Sequence, residues 1–172
     1  MEVQVGTIAV YPGTFDPITH GHVDLIRRAS AIFSRLIVLV AADVKKVPMF
    51  SADERTSMVH DAVSGIPDHV EVKVFNGLLV EEVEKLSAHV IIRGLRAVSD
   101  FEFESQMALM NKRLNPRIET FFMISREEYA YLSSSFVKEI ASLGGDVGTM
   151  VSECVAEKLL KRYRGKRGNR SR

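Results

Sequence analysis

Five short apolar runs alternate with segments of helical periodicity, and that alternation limits what this chain can fold into. The runs cover residues 7–11, 36–42, 70–75, 89–92 and 119–124. They are built largely from β-branched and aromatic residues, which suit a buried, pleated surface. Between them, Ser51 and Glu54 stand at capping-box spacing ahead of Val59, Ala62, Val63 and Ile66 on one helical face, and Leu79, Val83 and Leu86 also share a face. Phe103, Met107, Met110 and Leu114 do the same before Asn115-Pro116 stops the pattern. Strand alternating with helix predicts an α/β fold, a single doubly wound, Rossmann-like domain with a five-stranded parallel sheet and helices on both faces. The domain is expected to span residues 1–160.

Ligands of such sheets bind beyond the carboxyl ends of the strands, so the residues after each run are the informative ones. After the first run comes Pro12-Gly13-Thr14-Phe15-Asp16-Pro17, then Thr19-His20-Gly21-His22 at a helix start marked by Val23, Ile26, Ala29 and Phe33. The first N–H groups of a helix lack internal partners and carry partial positive charge, which favours a phosphate there. Gly13 and Gly21 allow close backbone approach. His22 falls in the first turn, within reach of the same phosphate, whereas His20 reads as a turn residue.

Lys45 and Lys46 follow the second run, and Arg93-Gly94-Leu95-Arg96 follows the fourth. Paired guanidiniums at a strand end suit a polyanion. The competing reading is that they are salt-bridged to Asp100, Glu102 or Glu104. After the fifth run, Ser133-Ser134-Ser135 precedes another helical pattern, offering a cap and a second anion cradle. Together Thr14, His22, Lys46, Arg93, Arg96 and the Ser134-Ser135 helix start are expected on one edge. Such a set stabilises negative charge and fits phosphoryl or nucleotidyl transfer by positioning and electrostatics, without a protein nucleophile. His60, His69 and His89 show no metal-ligand spacing, and no metal ligand set is expected.

The composition is that of an ordinary globular protein, with 46% hydrophobic and 26% charged residues. No apolar run nears the length of a membrane helix. The single Cys154 and an acidic rather than basic N-terminus lead to the expectation of a cytoplasmic protein. Residues 161–172 hold seven Lys or Arg and no acid, and without them the formal net charge of +1 becomes −6. They read as a basic, disordered tail, more readily a solvated end than a nucleic-acid contact.

The words Gly13-Thr14-Phe15-Asp16-Pro17 and Thr19-His20-Gly21-His22 resemble the T/H-x-G-H signature of the nucleotidyltransferase superfamily. That signature alone does not choose among phosphopantetheine, nicotinamide mononucleotide and glycerol-phosphate transferases. KKVPMFSADER, IIRGLRAVSDFEFE, MALMNKRL and SSSFVKE extend the resemblance to the bacterial phosphopantetheine adenylyltransferase family over residues 5–160. The resemblance implies reversible transfer of AMP from ATP to 4′-phosphopantetheine, giving dephospho-coenzyme A and pyrophosphate. It implies Mg²⁺ carried on the nucleotide phosphates, and a homohexamer. By position, it implies Thr14 at the reacting phosphates and His22 at the transition state, with Lys46 and Arg96 beside it. It gives Lys46, Arg93 and Leu79 to the phosphopantetheine. It gives Phe15, Gly94, Leu95, Arg96, Glu104, Tyr129, Ser133, Ser134 and Ser135 to ATP. Phe101, Phe103 and Met107 are expected to pack pantetheine or a neighbouring subunit.

Overall fold

A computed structural model describes residues 6–42, 47–67 and 69–167. Five parallel strands, β1 (Ile8–Gly13), β2 (Arg35–Ala41), β3 (Val70–Phe75), β4 (Val90–Leu95) and β5 (Glu119–Ile124), form one sheet in the order β3-β2-β1-β4-β5. The helices are α1 (His20–Ser30), α2 (Ala52–Val63), α3 (Leu79–Lys85), α4 (Val98–Leu114), α5 (Ser134–Leu143) and α6 (Glu153–Arg167). A short 3-10 turn, Glu127–Tyr129, leads into α5. Strand order reverses between β1 and β4, so the site should lie where those two strands end.

Alternate strand residues face opposite layers, and the core divides accordingly. Ala9, Val38 and Ile92 belong to a cluster with residues of α1, α2, α5 and α6. Val10, Ile37 and Ile91 belong to a second cluster with Val80 and Val83 of α3. On that second face Phe101 of α4 meets Phe122 of β5 edge-to-face, at 6.0 Å between ring centroids. Helices therefore cover both faces, as the alternation predicted. α2 starts where Ser51 and Glu54 exchange hydrogen bonds, 3.2 and 2.8 Å, in the expected capping box. No helix among the described residues is long and apolar enough to cross a membrane.

One expectation needs correction. Residues 161–167 are not a disordered tail but the last turns of α6. Arg162 holds Glu54 through both carboxylate oxygens, at 2.7 and 2.9 Å, and lies 5.1 Å from the centre of the Phe50 ring. Those contacts give a basic segment something to order against. Residues 168–172 lie outside the described residues. Val151, Val155 and Leu159 are the buried stripe of the chain's end, whereas Cys154 sits beside it with Sγ 3.4 Å from Asp61 Oδ2.

Candidate active site

α1 begins at His20 because Thr19 closes a capping box with His22. The Thr19 hydroxyl accepts from the His22 N–H at 3.4 Å, and His22 Nδ1 accepts from the Thr19 N–H at 3.0 Å. A backbone N–H can only donate, so Nδ1 is bare and the neutral ring keeps its proton on Nε2. Burial, then the charges of Arg96 and Arg93, lower the imidazole from 6.5 to about 4. At neutral pH His22 is therefore an uncharged donor. His20, read from the sequence as a turn residue, is helical and anchors α1 through Nδ1, 3.1 Å from Thr149 O.

Phe15 adopts a left-handed backbone, φ 49°, uncommon for a bulky residue. The turn tucks its ring into the core, edge-on to Tyr11 at 5.6 Å and to His22 at 5.3 Å between centroids. The ring thus supports the imidazole from the core, and Phe15 also lines the cleft. Gly13 makes this possible, since a Cβ there would sit 2.7 Å from the Phe15 ring.

Two residues that the sequence reading passed over hold the floor. The buried Asp16 carboxylate accepts from the N–H groups of Met49 and Phe50, at 2.9 and 3.0 Å, and from Lys138 Nζ of α5 at 2.5 Å. Burial pushes this carboxyl up, but these donors outweigh it and its pKa falls below the usual value. Arg55, 1% exposed, donates to the carbonyls of Thr14, Ala41 and Phe50 at 2.7, 2.7 and 3.1 Å. Three separate segments are pinned by one guanidinium.

The opposite wall comes from β4. Arg93, Gly94 and Leu95 lie within the strand and not, as expected, after it. Gly94 serves packing rather than a turn, because a Cβ there would meet Leu25 Cδ1 of α1 at 2.5 Å. Both arginines are held by carboxylates. Arg93 pairs with Glu104 through two hydrogen bonds, 2.6 and 2.7 Å, and donates to Pro12 O at 3.0 Å. Arg96 pairs with Asp100 at 3.1 Å. Salt bridging and ligand binding were posed as rivals, yet both guanidiniums also line the cleft.

That cleft has a volume of about 740 Å³ at the switch between β1 and β4. Thr14, Phe15, His22, Arg93, Gly94, Arg96, Glu104, Tyr129 and all three serines line it, with Asp16 and Lys138. The serines divide their work. Ser133 caps α5 by accepting from the Phe136 N–H at 3.1 Å, Ser134 donates to Pro17 O at 2.7 Å, and Ser135 faces the cleft. Leu95 does not line the cleft, and its carbonyl accepts from Ser125 N at 2.9 Å. Leu79 lines a smaller adjoining pocket of about 230 Å³, with Phe103, Met107, Asn111 and, again, Arg93. Lys46 lies outside the described residues. Among the described residues no group of three His, Cys, Asp or Glu could hold a metal ion.

Comparison with known proteins agrees with this geometry. The cytidylyltransferase-like family model matches residues 10–140. Phosphopantetheine adenylyltransferase of Heliobacterium modesticaldum is 54% identical, covering 91% of this chain and 93% of its own. That of Thioalkalivibrio sulfidiphilus is 55% identical, covering 90% and 97%. In fold alone, the chain resembles Plasmodium falciparum nicotinic acid mononucleotide adenylyltransferase, with TM-score 0.70 at 14% identity over 91% of this chain and 95% of that one. On this cleft and these likenesses, the chain belongs to the phosphopantetheine adenylyltransferases, nucleotidyltransferases of the cytidylyltransferase-like family.

Proposed function

We propose that the cleft transfers AMP from ATP to 4′-phosphopantetheine, reversibly, giving dephospho-coenzyme A and pyrophosphate by direct in-line attack with no covalent enzyme intermediate. One observation carries the pairing of substrates: Arg93 lines both pockets. A phosphate at Arg93 would have its pantetheine arm directed toward Leu79 and the apolar side of α4. The nucleotide would lie between His22 and the wall of residues 129–135.

The acceptor phosphate is already largely ionised near neutral pH, so the reaction needs no strong base. His22, an uncharged Nε2–H donor, meets charge growing on the α-phosphate. Arg96 and Lys46 neutralise the phosphates, and Thr14 touches the reacting groups. The cleft's carboxylates are committed, Asp16 to Lys138 and two amides and Glu104 to Arg93. This donor set suits Mg²⁺ carried on nucleotide phosphates, where it offsets their charge, better than a cage of protein ligands.

Self-association as a homohexamer is part of the same reading. Phe101, Phe103, Leu109, Met110 and Leu114 leave one helix, α4, with an apolar exposed surface, and Ile124 adds to it. Such a patch suits contact with copies of this chain. A thiol on the single cysteine suits a reducing cytoplasm.

Pyrophosphate release should be followed with each donor and acceptor pair. ATP with 4′-phosphopantetheine is expected to turn over. Turnover only with cytidine triphosphate, or only with nicotinamide mononucleotide as acceptor, would refute the assignment.

A further inference from the structure

We propose that Asp24 is a positioning residue that sets the gap between His22 and the nucleotide wall. Asp24 sits on α1, two residues past His22, and its carboxylate is buried. One oxygen, Oδ2, accepts from Arg28 Nη1 at 3.1 Å, an ordinary pair one helical turn away. The other, Oδ1, lies 3.1 Å from Nε of Arg126, in the turn after β5. Arg28 Nη1 continues past Asp24 to Ile124 O at 2.9 Å, the last residue of β5. Two guanidiniums therefore share one carboxylate, and both tie the same end of β5 to α1.

What they hold is a wall of the cleft. The Arg126 carbonyl accepts from Tyr129 N at 2.9 Å and closes the turn that carries Tyr129. Tyr129 lies against the first turn of α1, so closely that a Cβ on Gly21 would be 3.4 Å from its own Cβ. Ser125 and Tyr129 both line the cleft, as does the imidazole that α1 also carries. Neutralising Asp24 removes the shared acceptor and leaves two cations facing each other, so Arg126 is driven outward and the wall moves with it.

The inference rests on the reading that residues 129–135 hold the nucleotide, and it predicts an effect on one substrate only. Asp24→Asn and Arg126→Ala should each weaken ATP binding by about tenfold, measured by calorimetry on the full chain, with the KM for 4′-phosphopantetheine held within about twofold. Arg126 is 59% exposed, so its variant tests the idea even where Asp24→Asn folds poorly. The double variant should be no worse than Asp24→Asn alone, because the two act as one unit. Arg126→Lys should recover most of the ATP affinity. ATP affinity unchanged in both single variants, or both substrates weakened equally alongside a lower Tm, would overturn the proposal. A wild-type chain that fails to bind ATP would instead overturn the reading of the site itself.

Discussion

The two walls of the cleft are built on opposite principles. The β1–α1 wall is finished before any ligand arrives. The His22 ring is fixed by Thr19 and Phe15, Asp16 by three donors, and the loop carbonyls by Arg55. The β4–α4 wall is held by charge pairs, Arg93 with Glu104 and Arg96 with Asp100, and its helix leaves large apolar side chains exposed. The first wall presents an uncharged donor whose geometry costs nothing to organise at the moment of reaction. The second carries guanidiniums that the proposed mechanism gives to phosphates, and it exposes an apolar surface. On the proposed mechanism, chemistry falls to the rigid side and substrate capture to the side held by ion pairs.

The largest effect expected from breaking this contrast is at His22. His22→Ala should cut kcat by about a hundredfold or more, the loss typical of one charge-stabilising donor, with KM values little changed. Full turnover would remove the imidazole from the mechanism. Next, Asp16→Ala should destabilise the fold by about 3 kcal/mol, since it strips two amides and Lys138 of a buried acceptor. Urea unfolding would report this, and an unchanged midpoint would mean that the floor is held by other contacts.

On the opposite wall the effects should be milder and specific to substrate. Arg93→Ala should raise the KM for 4′-phosphopantetheine by about tenfold while kcat falls less. An unchanged KM would detach Arg93 from that phosphate. The smallest effect concerns pH. Because His22 titrates near 4, its state should not change between pH 5.5 and 8, and kcat should show no histidine-like limb near 6.5. Its folded value lies below the ordinary one, so the unfolded chain takes up the proton first as pH falls. The stability contributed by this group is complete above about 6.5 and declines as pH drops toward 4. An inflection at 6.5 in the pH–rate profile, assigned to His22, would contradict the buried, neutral ring.

Local patterns were legible in the sequence and distant partnerships were not. The strand–helix alternation, the Ser51 capping box and the phosphate-seeking turn all follow from residues within a few positions of one another. Asp16 reads locally as one letter of a loop, and its partners stand 33, 34 and 122 positions away. Arg55 sits in an ordinary amphipathic helix, and nothing nearby in sequence shows that it faces three carbonyls. Arg162, in the segment read as a tail, contacts Glu54, 108 positions away, and Phe50. Arg93-Gly94-Leu95 looked like a loop because charge and glycine usually mark one. Here the strand continues, since Glu104 satisfies the charge and Leu25 needs the space beside Gly94.

The most direct test is a crystal structure with dephospho-coenzyme A, which contains the new phosphate–phosphate bond. The account predicts that bond within hydrogen-bonding distance, about 3 Å, of His22 Nε2 and of the Arg93 or Arg96 guanidinium. It places the adenine against residues 129–135 and the pantetheine arm near Leu79. A product seated with its phosphates away from the imidazole, or with its pantetheine arm along the Tyr129 wall, would contradict it.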